Sequence, residues 1–359
     1  MTEKIMTEKI RSGVVSAETL SAAVSALRSG HCVGMPTETV YGLAADALNP
    51  LGVARVFETK RRPAFDPLIM HVSPTMNLES WVHLNDTARH LMERFWPGPL
   101  TLLVEKTPEV SEIVTSGHPT VALRCPAHPV ARQLLDAFGG PLVAPSANLF
   151  GQLSPTSASA VREGLGDRLE VILDGGECTV GLESTIVDTT APPPQLPILR
   201  LGGIPPRALS DLGYQLSYPT PIIGRAPGTL KNHYAPRLPL YLFEPRSSTQ
   251  SQHDRDRARM EIEAQRFAHL GWRATRTEFG VSTPLSPSGD SVEGAARLFS
   301  TLREYGAGDW DGIIAELPPP DELGGAIRDR LTRGASGYAE YDESSQVWSI
   351  PSTQIEGTR

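Results

Sequence analysis

The residues best suited to chemistry begin with Lys60-Arg61-Arg62-Pro63. In extended backbone, Lys60 and Arg62 point to one side. They could grip one polyphosphate, arginine as a two-pronged donor and lysine as a point charge. The same cations would equally complement the dipole at a helix C-terminus. A second cluster, Ala144-Pro145-Ser146-Ala147-Asn148, follows an apolar run. Ligands sit at strand ends in α/β folds, and small residues let them approach the backbone; an ordinary proline turn has the same composition. A third, Ser184-Thr185-Ile186-Val187-Asp188, offers hydroxyls that bind a substrate or simply favour a strand. Arg124 and Arg200 interrupt apolar strands, where an arginine must be an anion ligand or half of an ion pair. His71, within Leu68-Ile69-Met70-His71-Val72, fits a satisfied core histidine or a catalytic one. Asp46 fits a cap. His233-Tyr234-Ala235-Pro236 lies in a spacer where such side chains have no packing duty beyond docking domains. The sequence contains no GxxxxGK[ST] loop, GxGxxG, HExxH or GxSxG, so any phosphate is held by another arrangement.

Alternating strands and helices must position these groups. Leu20, Ala23, Val24 and Leu27 follow helical spacing from Ser16, with Gly30 as the stop. Further helices are predicted around Val53 to Phe57, Asn85 to Phe95 and Val130 to Phe138. Strands are predicted at Cys32 to Met35, Leu68 to Val72, Thr101 to Val104, Val121 to Arg124, Leu142 to Ala144, Val171 to Leu173, Thr185 to Val187 and Ile198 to Leu201. The pattern implies one twisted mixed sheet with helices packed on it. Eleven prolines fall between Pro192 and Pro239, marking a boundary and a stiff linker. Beyond it, strands at Leu240 to Phe243 and Ile313 to Ala315 alternate with helices lined by Met260, Ala264 and Phe267, by Leu298 and Leu302, and by Leu323, Ile327 and Leu331. The polar stretch Arg246 to Asp256 reads as a loop. The organisation is therefore a larger mixed-sheet α/β domain over 11–213, a linker over 214–238 and a smaller Rossmann-like α/β domain over 239–345.

The 359 residues carry a net charge of −8, with 40% hydrophobic and 21% charged residues. This is the composition of a globular protein of about two domains. It argues against nucleic acid as the main partner of the whole surface, while leaving room for a local cationic pocket. There is no apolar run of membrane-spanning length and no apolar signal segment, and the three cysteines form no CxxC pair, which together suit a reducing cytoplasm. The repeated MTEKI at the start reads as a duplicated beginning outside the fold.

Taken in order, several motifs resemble the YrdC-type domain: Pro36-Thr37-Glu38-Thr39-Val40-Tyr41-Gly42-Leu43, Lys60-x-Arg62-Pro63 with Pro67-Leu68-Ile69-x-His71-Val72, Trp96-Pro97-Gly98-Pro99-Leu100-Thr101, Val121-Ala122-Leu123-Arg124-Cys125-Pro126, Ala144-Pro145-Ser146-Ala147-Asn148 and Glu183-Ser184-Thr185-Ile186-Val187-Asp188. Pro227-Gly228, His233-Tyr234-Ala235-Pro236 and Ala326-Ile327-x-Asp329-Arg330-Leu331 extend the likeness to the two-domain threonylcarbamoyl-AMP synthase family, over roughly Val14 to Gly337. Each motif alone is weak; six in sequence order are specific.

The resemblance implies a nucleotidyltransferase that condenses L-threonine, bicarbonate and ATP into threonylcarbamoyl-adenylate with release of pyrophosphate, for threonylcarbamoyladenosine modification of tRNA. It implies that Thr39, His71, Arg124, Ala144 and Ser184 line a threonine pocket. Lys60, Arg62, Asp66, Thr120, Ser146, Ser154, Arg200 and Tyr234 would contact ATP, with Lys60 and Arg62 as catalytic cations and Mg²⁺ as companion. It further implies a lid over the cleft carrying Tyr234, a downstream tRNA-modifying transferase complex, weak contact with tRNA itself and no membrane. The chain departs from the family at Asp66, where asparagine is usual, and in Gly228-Thr229-Leu230-Lys231-Asn232-His233, which lacks the usual methionine and arginine. Two other functions fit parts of the pattern: a non-catalytic RNA-binding module of the same fold, and a hydrogenase-maturation carbamoyl-adenylate enzyme. The second needs cysteine-rich zinc modules that three scattered cysteines cannot build.

Overall fold

The computed structural model describes residues 6–9, 15–219, 227, 233–244 and 259–351. The chain divides into two compact units, Met1–His233 and Tyr234–Arg359.

The first unit is built on a mixed sheet. Its strands run, edge to edge, Met6–Lys9, Val171–Asp174, Val33–Met35, Gly42–Asp46, Leu142–Val143, Ile69–His71, Thr120–Arg124, Leu100–Lys106, Thr185–Asp188, Gln195–Arg200 and Gln215–Ser217, with Val82–His83 paired to Leu100–Lys106. Side chains alternate across a strand, and this sheet uses the alternation to separate two tasks. Met70, Leu123, Leu102 and Val187 face the main core, where Val53, Val56 and Leu91 pack from the helices Pro50–Lys60 and Asp86–Phe95. The intervening residues share the other face. There the register aligns His71 with Arg124, Arg124 with Thr101, Thr101 with Ile186 and Ile186 with Arg200. One row across five strands thus carries the polar residues His71, Arg124, Thr101 and Arg200. Ile69, Ala122, Leu103 and Ile186 form a small apolar cluster on that face.

Asp46 is not the helix cap its position suggested: it ends a strand and accepts from the amide of Leu48, ahead of the helix. Ser16 caps Ala17–Arg28 by accepting from the amide of Thr19, and Asn49 caps Pro50–Lys60 by accepting from Leu51. The second copy of the repeated start is not wholly outside the fold: Met6–Lys9 pairs in parallel with Val171–Asp174. A sheet edge presents open N–H and C=O groups that pair with backbone irrespective of side-chain pattern.

The second unit has a five-stranded, all-parallel sheet in the order Val281–Pro284, Phe267–Gly271, Gly312–Glu316, Leu240–Phe243 and Gly337–Tyr338, with the helices Ser291–Gly306 and Gly324–Gly334. A three-stranded antiparallel sheet of Arg259–Glu261, Val347–Pro351 and Glu340–Asp342 completes it. The helix expected on Met260, Ala264 and Phe267 is instead the strand Arg259–Glu261, a 3-10 turn at Ala264–Arg266 and the strand Phe267–Gly271. Three apolar residues matched a helical period, but every residue of Phe267–Gly271 is buried between two parallel strands, a run that needs no alternation. Met260 is 54% exposed. The predicted loop at Arg246 to Asp256 lies outside the described residues. Among the described residues no helix is long and apolar enough to cross a membrane.

At Gly202, just past the strand Gln195–Arg200, the chain passes close against another backbone segment. A Cβ there would lie 2.2 Å from the carbonyl oxygen of Glu183 and 2.6 Å from that of Ser184. Gly202→Ala is therefore expected to destabilise the protein by about 1–3 kcal/mol, seen as a lower midpoint in thermal unfolding; an unchanged midpoint would contradict the packing described.

Candidate functional site

The Lys60–Arg62 pair is built by a helix end. Pro50–Lys60 terminates at Arg61, which adopts a left-handed conformation (φ 52°), and the amides of Arg61 and Arg62 return to the carbonyls of Glu58 and Phe57. Lys60 is thus the last helical residue and not part of an extended segment, as its spacing with Arg62 had implied. The turn, rather than a pleat, brings the two cations together. The Lys60 ammonium is buried and donates to the carbonyls of Ser146 and Asn148, 2.7 Å for the latter. The backbone carbonyl of Lys60 accepts from Phe150. Residues 144–150 are thereby fastened to the end of this helix. Burial and the nearby Arg62 push the lysine pKa well down, while Asp66 and Glu183 oppose the shift.

Arg62 donates to the carbonyls of Asp66 and Pro67 at 3.0 and 2.8 Å. Its Nη2 lies 2.9 Å from Asp66 Oδ2 in a buried ion pair. The angles are not those of a hydrogen bond, so both Asp66 oxygens are buried without a hydrogen-bond donor. Burial raises the Asp66 pKa, against the attraction of Arg62, Lys60 and Arg200. Among the described residues no three His, Cys, Asp or Glu side chains are grouped to hold a metal ion. Asp66 stands near Lys60, Arg62 and Arg200, and Glu183 is a second carboxylate near Lys60.

Arg124 is fixed at three points. Its Nη2 lies 2.6 Å from Glu38 Oε1, its Nη1 donates to Thr39 Oγ1 at 2.9 Å, and its Nε donates to the carbonyl of Gly98 at 3.3 Å. Beside it in the register, His71 shares a hydrogen bond between Nδ1 and the Ile69 carbonyl. Because a carbonyl can only accept, Nδ1 carries the proton. Burial, with Arg124 adding to it, lowers the His71 pKa to about 3, so the ring is neutral. At the far end of the row, Arg200 donates to the Ser184 carbonyl and hydroxyl and to the carbonyl of Pro227 at 3.1, 3.0 and 3.0 Å. Ser184 Oγ is also 2.7 Å from Thr101 Oγ1.

The structure therefore connects Thr39, His71, Arg124, Ser184 and Arg200 through register and hydrogen bonds, and Lys60, Arg62, Asp66 and Ser146 around one helix end. Ala144 precedes Ser146 and would meet any Cβ added at Gly42 at 3.0 Å. Ser154 donates to Glu183 Oε1, beside Ser184. Thr120 begins the strand that Arg124 ends, about 13 Å along it. It lines a cavity of only about 10 Å³, room for a single water, with Pro67, Leu68, Thr115 and His118. Tyr234 is buried within the second unit, stacked on Phe299 at 5.7 Å with the Arg330 guanidinium 5.1 Å from its ring. The linker residues 220–226 and 228–232 lie outside the described residues. Glu38, Gly98 and Thr101 lie within the motifs but carry no assigned place in the site from sequence; the signal for Thr101 is a lone hydroxyl within the apolar run 100–104, and the structure buries it fully.

The family model described as "Telomere recombination" (Sua5, yciO, yrdC) matches residues 25–202, and the model for "Threonylcarbamoyl-AMP synthase, C-terminal domain" matches 207–336. Over 88% of its length the chain is 38% identical to the threonylcarbamoyl-AMP synthase of Pyrococcus abyssi, covering 93% of that protein. The chain belongs to the threonylcarbamoyl-AMP synthase family. A Bacillus subtilis member is 37% identical over 89% of this chain and 93% of its own. The crystal structure of P. abyssi Sua5 complexed with L-threonine superposes with a TM-score of 0.80 at 32% identity, covering 93% of this chain and 99% of the other.

A neutral His71 in the fold has a consequence for stability. Its pKa is depressed below the unfolded value of about 6.5, so between those values the unfolded chain binds the extra proton and stability falls as pH falls. His71→Phe should therefore flatten the dependence of urea-unfolding free energy on pH below 6.5 by up to about 1.4 kcal/mol per pH unit. An unaltered slope would mean that His71 is not buried neutral.

Proposed function

We propose that the chain joins L-threonine, carbon dioxide from bicarbonate, and ATP to give threonylcarbamoyl-adenylate and pyrophosphate. The observation that most supports this reading is the arrangement of four buried cations, Lys60, Arg62, Arg124 and Arg200, near one end of the sheet. Family membership supplies the reaction, and this arrangement supplies groups for each of its charges.

The threonine carboxylate pairs with Arg124, beside Thr39, His71 and Ser184. The amine attacks carbon dioxide, forming the N–C bond and releasing a proton, to give a carbamate. A carbamate oxygen then attacks the α-phosphorus of ATP, and the bond between that phosphorus and the bridging α–β oxygen breaks as pyrophosphate leaves. Lys60 and Arg62 hold the phosphates and meet the charge that grows on the leaving group. Lys60 is fastened to the Ser146–Asn148 backbone, so this cation is in place before the reaction. Mg²⁺ enters as part of the nucleotide substrate. Thr120, which lines the same small cavity as Pro67, whose carbonyl Arg62 engages, is a further proposed ATP contact. Ser146, Ser154, Arg200 and Tyr234 complete the proposed ATP contacts. No covalent nucleophile is required, and Cys32, Cys125 and Cys178 are buried thiols, as a reducing cytoplasm allows. The adenylate passes to a transferase that modifies tRNA.

Pyrophosphate release should require threonine and bicarbonate together, and Arg62→Glu should lower its rate by about 100-fold or more. A coupled pyrophosphate assay reads both. Release that proceeds equally without threonine would overturn the assignment.

A further inference from the structure

We propose that Glu38 determines specificity, making the amino-acid pocket select a carboxylate that carries an α-ammonium over one that does not. The inference rests on the reading above in which Arg124 takes the threonine carboxylate.

Glu38 is 8% exposed and fully engaged. One carboxylate oxygen pairs with Arg124 Nη2 at 2.6 Å, the other accepts from the Ala127 amide at 3.0 Å, and its backbone carbonyl accepts from Val180 at 2.8 Å. A side chain held at both oxygens is a fixed charge. It is not a free base, so its contribution to the pocket is electrostatic.

Arg124 and Glu38 cancel, Arg132 and Asp136, which act on the neighbouring Cys125, offset each other, and His71 is neutral. Arg200 stands three strands away, about 14 Å between Cα atoms, with its donors on Ser184 and Pro227. A ligand carboxylate bonded to a remaining Arg124 N–H sits about 5–6 Å from the Glu38 carboxylate. A simple carboxylate would leave that buried site with one uncompensated negative charge. A zwitterionic amino acid leaves none, because its ammonium offsets Glu38. Without Glu38, Arg124 alone would accept any carboxylate of the right shape. Glu38 is therefore a charge filter applied through Arg124 and in direct view of the ligand.

L-threonine and (R)-3-hydroxybutyrate share carboxylate, hydroxyl and methyl, and differ in the amine. Affinity for threonine is measured by calorimetry without ATP, and affinity for hydroxybutyrate by its displacement of threonine. The ratio between them cancels any general loosening of the pocket. In Glu38→Gln, which keeps an oxygen for Ala127 and removes the charge, the preference for threonine should fall at least about tenfold. Glu38→Asp retains the charge and should retain the preference, even if both ligands bind more weakly. The proposal is overturned if the ratio is unchanged in Glu38→Gln, or if hydroxybutyrate displaces threonine from neither the native protein nor that variant, or if Glu38→Asp behaves as Glu38→Gln. Arg124→Gln separates the two readings: if it weakens neither ligand, the carboxylate assignment to Arg124 is what fails.

Discussion

A buried guanidinium or ammonium is tolerable only where acceptors already surround it, and the first unit of this protein is organised around meeting that condition four times. Arg124 draws on Glu38, Thr39 and Gly98; Lys60 on Ser146 and Asn148; Arg62 on Asp66 and Pro67; Arg200 on Ser184 and Pro227. Around Lys60, Arg62 and Arg200 the acceptors are chiefly backbone carbonyls, which lack conformational freedom once the chain is folded, while Arg124 draws on the buried side chains of Glu38 and Thr39 and one carbonyl. The cations therefore stand in fixed positions before any anion arrives, and cost little to organise when one does.

Several of those acceptors are distant in sequence. Lys60 reaches across to residues 146 and 148, and Arg124 to residues 38 and 39. The site is consequently a property of the sheet register. A one-residue slip of Thr120–Arg124 would turn Arg124 into the apolar core and Leu123 onto the ligand face. The core face, with Met70, Leu123, Leu102 and Val187, prevents that slip. Packing on one side of the sheet thus holds charge geometry on the other.

This dependence accounts for what the sequence made legible. His71, Arg124, Ser184 and Arg200 were visible as polar residues in apolar strands, and the mixed α/β architecture followed from alternating elements. Lys60 and Arg62 were found from their spacing, but for a pleat that does not exist; the left-handed turn at Arg61 carries no glycine to announce it. Glu38 and Gly98 gained their roles only through contact with Arg124, which local pattern cannot supply. At 259–271 the apolar period was too short to separate a helix from buried strands, and tertiary pairing decided it.

The cationic site is assembled before substrate binds. A crystal structure of the chain with L-threonine and a non-hydrolysable ATP analogue tests it most directly. The account predicts the threonine carboxylate on Arg124 with the Glu38 and Thr39 contacts kept, and the triphosphate against Lys60 and Arg62. An Arg124 that has left Glu38 and Thr39 to reach its ligand, or a carboxylate seated on another cation, would contradict it.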